Sequence, residues 1–224
     1  MPGWNACGKW MHHSHLDGGN DLDGAYTIGY RITDDGADAW TARFNRFKAK
    51  DAAAVAGGVT AIGGSMGELL DALGVTAAGA TFVPALGSGE TRAAPNGPMA
   101  ILAREAAKAT GAQFNHSALS KKVHQPIHGI FDAGAREAEL DKAEYVSGKL
   151  PGKTVFAFDD LITRGSTLNR IARAIKAANP DAKVYGVALA KTERRAYWGS
   201  LTNDHVAKAW SDAWLRGEMR FGKR

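Results

Sequence analysis

Val155-Phe156-Ala157-Phe158-Asp159-Asp160-Leu161-Ile162-Thr163-Arg164-Gly165-Ser166-Thr167-Leu168 is the stretch from which the fold of this chain is read. Four apolar residues come first, then two adjacent carboxylates, then a loop of hydroxyl-bearing residues around one glycine. The run from Val155 to Phe158 has the length and unbroken apolarity of a parallel strand covered on both faces. Beyond it, Leu168, Ile171, Ala172 and Ile175 recur at i, i+3, i+4 and i+7, which predicts a helix laying one apolar stripe back on the sheet. Between strand and helix, Thr163 to Thr167 would gather backbone N–H groups, hydroxyls and a helix N-terminus about one point. Unpaired amides and the helix dipole both favour an anion there, so the loop reads as a phosphate site. Asp159 and Asp160 lie at the carboxyl end of the strand, where open α/β sheets bind ligands. Carboxylates repel phosphate; these two suit sugar hydroxyls or a metal-bound sugar phosphate.

The stretch resembles the phosphoribosyl pyrophosphate (PRPP) signature of type I phosphoribosyltransferases: four apolar residues, two acids, two apolar residues, and a Thr/Gly/Ser loop. That resemblance implies that Asp159 and Asp160 hold the ribose 2′- and 3′-hydroxyls. It also implies that Thr163, Arg164, Gly165, Ser166 and Thr167 cradle the 5′-phosphate. Arg164 departs from the pattern, because the family usually has a small residue there; an arginine either adds a charged phosphate contact or points outward. Acids at a strand end occur in many doubly wound proteins and phosphoacceptor domains. What sets this stretch apart is Thr-Arg-Gly-Ser-Thr at the start of the helix.

The chain has 224 residues, enough to bury a proper core, and 28 basic against 23 acidic residues. So mild a positive excess fits a small anionic ligand and does not by itself argue for nucleic acid. A single cysteine, Cys7, excludes an intramolecular disulfide framework and points to a reducing compartment. The N-terminus lacks a signal-peptide pattern, and no apolar stretch is read as reaching the ~20 residues of a membrane span. The expected location is the cytoplasm, with no membrane partner.

Residues 1–36 are rich in Gly, Asp and His and are expected to form an irregular extension, with a short strand around Ala25–Ile32. Residues 37–200 are expected to form the phosphoribosyltransferase-like domain, and 201–224 a C-terminal helix and basic tail. Trp40, Phe44 and Phe47 predict a helix with a basic outer face. Asp51 caps a second helix weakened by Gly57-Gly58, and Ser65-Met66-Gly67-Glu68 reads as a capping box. Thr81–Leu86 is the first core strand, Pro98–Thr110 a helix, Gln113–Leu119 a strand and Val184–Ala190 another. Strands alternating with helices from 80 to 190 predict an α/β fold with a mostly parallel sheet flanked by helices.

Further site candidates follow from position. Leu86, Gly87, Ser88, Gly89 and Glu90, with Arg92, follow the first core strand, where glycines let backbone amides approach a pyrophosphate. The resemblance implies a mobile loop between the second and third core strands, and here that interval holds Lys121, Lys122, His124, Gln125, His128 and Arg136. It also implies base recognition after the last strand, where Lys191 and Trp198 stand. Trp210 and Trp214 read as anchors of a terminal helix on the domain or on a partner. Cys7, His12, His13 and His15 lie close together, yet their spacing is not that of a zinc site, and no metal ligands are assigned.

Val83-Pro84, Met99-Ala100-Ile101-Leu102-Ala103, Gln125 and Gly129 before Ile130-Phe131, and Phe47-Lys48 are similar in order to ComF-type phosphoribosyltransferase-like proteins. Those usually begin with a cysteine zinc module that one cysteine cannot build. Two functions are therefore expected as alternatives. The first is transfer of 5-phosphoribosyl from PRPP to a nitrogenous base or amine, with release of pyrophosphate and Mg²⁺ bound mainly through PRPP. The second is a non-catalytic PRPP- or nucleotide-binding accessory protein in DNA uptake or regulation. DNA is a partner only under the second, and a homodimer is compatible with both.

Overall fold

The computed structural model describes residues 3–16, 21–130 and 132–222, and of His128 the backbone alone. Seven strands form one sheet: β1 (Asn5–Cys7), β2 (Trp10–His12), β3 (Gly24–Ile32), β4 (Ala80–Pro84), β5 (Gln113–Phe114), β8 (Thr154–Ile162) and β9 (Lys183–Glu193). Their order is β1-β2-β3-β9-β8-β4-β5. The five from β3 to β5 are parallel, and β1 and β2 add an antiparallel hairpin to one edge. Two short strands, β6 (Leu119–Ser120) and β7 (Val146–Ser147), pair in a separate antiparallel ribbon.

Helices cover both faces, as an α/β architecture requires. Five of them supply one face: α1 (Ala39–Lys48), α2 (Ala52–Gly63), α3 (Met66–Ala72), α4 (Pro98–Thr110) and, last in the chain, α7 (Lys208–Phe221). The other face is covered by α6 (Ser166–Ala178), whose Leu168, Ile171, Ala172 and Ile175 are buried against Val155, Ala157 and Val184. A further helix, α5 (Ala133–Asp141), lies between the two ribbon strands.

The N-terminal segment is not the irregular extension expected. β3 pairs with β9 along eight register positions from Gly24↔Tyr185 to Ile32↔Glu193, and eight of its nine residues are buried. Glycines and a threonine inside β3 mask its apolar pattern, and a Cβ on Gly24 would stand 3.0 Å from the Tyr26 ring. Nor is the C-terminal helix an appendage. Trp210 and Trp214 of α7 are buried in the same cluster as Phe44, Phe47 and Ile62. Gly57 and Gly58, which looked like weak points of α2, let Trp214 and Phe47 approach: a Cβ there would stand 2.5 Å from Trp214 Nε1 and 2.8 Å from Phe47. The boundaries expected at 36 and 200 thus cut through one sheet and one core.

Two local expectations also change. Ser65 makes no side-chain capping bond, and Glu68, which would complete the box, is turned to Lys9, whose N and Nζ lie 2.8 and 2.7 Å from its carboxylate. Ala52–Ala72 does reach the length and apolarity of a membrane span, half of it buried. The run breaks into α2 and α3 at Gly64-Ser65, and Ala54, Ala61, Ile62, Met66, Leu69 and Leu70 lie in the core.

Between β4 and β8 the direction of the crossovers reverses. The chain moves outward from β4 through α4 to β5, then returns across β4 to β8 and continues through α6 to β9. Such a switch point leaves a crevice beyond the strand ends, the usual ligand position in open α/β sheets.

Candidate functional site

At that crevice β8 runs past its neighbour. β4 ends at Pro84, opposite Phe158; proline has no N–H to continue a ladder, and one more bond, from Ala85 N to Phe158 O at 2.8 Å, closes the pairing. On its other side β8 stays paired with β9 as far as Ile162. The strand predicted to stop at Phe158 therefore carries the acid pair within it. Beyond β4, the carboxylates meet the free amides: Asp160 N donates to Asp159 Oδ1 and Leu161 N to Asp160 Oδ1, both at 2.8 Å. Both acids are half-buried. Burial first, and then the charge of Asp160, push the Asp159 carboxyl well above its usual range. Neighbouring carboxylates resist ionising together, so Asp159 holds its proton more tightly than a free carboxyl does.

One turn away, Gly165 takes φ +75° at the N-cap of α6, a left-handed backbone that glycine adopts without steric cost. Leu16 lies against it: a Cβ on Gly165 would stand 3.7 Å from the leucine methyls. Thr163 and Arg164 are exposed, and Ser166 and Thr167 half-buried. The Ser166 hydroxyl is already engaged, donating to Glu137 Oε1 at 2.8 Å. Arg170 Nη1 lies 2.8 Å from Glu137 Oε2. Burial raises the Glu137 carboxyl, but the bonds from Ser166 and Arg170 outweigh it and hold the group below its ordinary value.

The loop after β4 lies on the opposite bank. Leu86 is buried, Gly87, Gly89 and Arg92 are exposed, and Ser88 is half-buried. Gly87 N donates to Glu90 Oε2 at 2.7 Å, so an acid of the loop occupies one of the amides expected to meet pyrophosphate. Of the mobile-loop candidates, Lys121 joins this bank. Its ammonium is buried and donates to Ser88 O at 2.9 Å and Lys122 O at 3.2 Å, and burial lowers its pKa. His124 follows through its backbone, N to Ser88 O at 3.2 Å. Lys122 turns instead to Glu144, and Gln125 N donates to Glu139 Oε1.

Tyr145 spans the two banks, and nothing in the sequence around it announced a site residue. Its hydroxyl lies 3.5 Å from Leu86 O, and Lys121 Nζ stands 6.0 Å from its ring centre. Burial and then the charge of Asp159 raise its phenol pKa.

The residues expected to read a base are committed elsewhere. Lys191 Nζ pairs with Glu193 Oε1 at 2.6 Å, and Trp198 Nε1 donates to Glu193 Oε2 at 3.1 Å. The Trp198 ring packs on the cluster of Met11, Tyr30, Ile32 and Leu201. Glu193, which the sequence reading passed over, satisfies both. The N-terminal histidines also diverge: His12 stacks on Tyr26, His13 bonds Thr27, and His15 bonds Gly3 O. Among the described residues no group of three or more His, Cys, Asp or Glu could hold a metal ion. Two open depressions, one lined by Leu70, Gly74 and Thr110 and the other by Gly74, Gly152 and Lys183, lie at the amino end of the strands, away from the acids.

No protein-family model matches this chain, and no curated protein matches it. The functional reading therefore rests on the residues themselves.

Proposed function

We propose that the chain is a PRPP-dependent phosphoribosyltransferase. The observation that carries this reading is the placement of an adjacent acid pair and a glycine-turned helix start on one side of the switch-point crevice, with a glycine loop and a buried lysine on the other. Asp159 and Asp160 would hold the ribose hydroxyls. The 163–167 loop would take the 5′-phosphate at the start of α6. Leu86 to Gly89 and Lys121 would face the pyrophosphate, whose departure as a nitrogen nucleophile attacks the anomeric carbon is helped by fixed positive charge. The acid pair supplies two carboxylates and no third ligand, a donor set that fits Mg²⁺ held chiefly by PRPP oxygens. When bound, the ion offsets charge on the leaving pyrophosphate.

The accessory, DNA-linked alternative draws less support. The two arginines of the basic α1 face are engaged within the chain: Arg43 bonds Ser211 and lies over Trp40, and Arg46 pairs with Asp51 and Glu218, while Lys48 and Lys50 are exposed. A single cysteine and an α2–α3 run whose apolar side chains pack in the core fit a cytoplasmic setting.

Calorimetry with PRPP and Mg²⁺ tests the proposal. The wild type should bind, and Asp159→Asn with Asp160→Asn should abolish binding without altering the melting transition. Unchanged binding in that variant would remove the sugar-site assignment. Pyrophosphate release across a panel of purines, pyrimidines and amines separates a transferase from a binder without turnover.

A further inference from the structure

We infer that Glu137 holds the place of the phosphate at the start of α6 in the free protein, and that Arg170 exchanges Glu137 for the phosphate when ligand enters. The inference rests on the sugar-phosphate reading above and deepens it. The first turn of α6 carries no acid, and its N-cap is a glycine with no side chain to bond the free amides. A carboxylate reaches that turn from another element instead: Glu137 of α5 accepts from Ser166 Oγ and pairs with Arg170, each at 2.8 Å. An anion at a helix N-terminus, bonded by a hydroxyl and an arginine, has the same chemistry as a bound phosphate monoester.

Arg170 is positioned for the exchange. It lies four residues after Ser166, and helical side chains lean toward the N-terminus, which aims the guanidinium at the loop. It also contacts Asp141 Oδ1 at 2.7 Å and Glu137 O at 3.2 Å, so Arg170 and Ser166 together tie α6 to α5 by polar bonds. A phosphate dianion brings more charge and more acceptor oxygens than a carboxylate, and displaces it. The opposite bank repeats the pattern on a smaller scale, with Glu90 on the Gly87 amide. Entry of the ligand thereby removes the ties that the Glu137 carboxylate makes to α6, leaving the Asp141 contacts of Arg170, and loosens the segment beside the site.

Ribose 5-phosphate is the probe. By calorimetry, Glu137→Gln should bind it about tenfold more tightly than wild type, since one charge-assisted competitor is gone. Arg170→Gln should weaken binding in both the wild-type and the Glu137→Gln backgrounds. In the wild type itself, hydrogen exchange of residues 133–141 should speed up when ribose 5-phosphate is added, a readout that needs no substitution. Equal or weaker binding by Glu137→Gln, an Arg170→Gln change without effect in the Glu137→Gln background, or unchanged exchange over α5 would each overturn the inference. If PRPP binds in a manner sensitive to the acid pair while these results fail, the inference alone is lost. If neither PRPP nor ribose 5-phosphate binds any variant, the sugar-phosphate reading falls, and the inference with it.

Discussion

Acid should destabilise this protein through His13. The side chain is fully buried, with Nε2 2.8 Å from Thr27 Oγ1 and Nδ1 without a hydrogen-bond partner. Burial first, and then the charges of Lys191, His15 and His12, push its pKa from 6.5 down to about 3. The folded chain therefore keeps His13 neutral where the unfolded chain protonates it. The stability linked to this residue is intact above pH 6.5 and is lost as the pH falls from there toward 3. One proton taken up only by the unfolded state costs about 1.4 kcal/mol per pH unit. At about pH 4.5 the loss is ~2.7 kcal/mol, and the full window gives ~5 kcal/mol. Urea unfolding of wild type and His13→Asn, from about pH 7.5 to about pH 4.5, isolates the effect. The substitution lowers stability by a constant amount through the lost packing and the Thr27 bond. Carboxylate contributions are common to both proteins. The difference in slope between the two curves is then the histidine itself. Parallel curves over that range would refute the reasoning and place a protonated imidazole in the core.

Glycine substitutions should differ in sign with their surroundings. Gly217→Ala in α7 puts a Cβ against the Ala56 carbonyl and 2.6 Å from Thr60 Oγ1, with backbone that cannot swing aside; unfolding should show a net loss of about 1–3 kcal/mol despite the better helix propensity. Gly67→Ala in α3 meets nothing within 4 Å, and should gain up to about 1 kcal/mol in the same assay. Gly165→Val places a branched side chain at φ +75°, costing about 1–2 kcal/mol, and should abolish PRPP binding by calorimetry; wild-type affinity would rule out the phosphate cradle.

The sequence alone determined the features that are local. An unbroken apolar run, two acids and a glycine loop before an amphipathic helix specify β8, the turn and α6, because each depends on neighbours a few residues away. The Pro98–Thr110 helix and the strands at 81 and 184 were legible for the same reason, and with them the α/β class. The strand around Ala25–Ile32 was legible too, but not its place inside the sheet, since its glycines and threonine leave no apolar run and only β2 and β9 on either side bury it. Gly57 and Gly58 looked like helix breakers until Trp214, more than 150 positions later, filled the space above them. Glu137 on Ser166, Glu90 on Gly87, Glu193 between Lys191 and Trp198, and Tyr145 beside the acid pair carry no signature in their own segments. Only tertiary structure assigns them, because a carboxylate's role is set by which donors the folded chain brings within about 3 Å of it, and helix period and strand alternation do not encode that meeting.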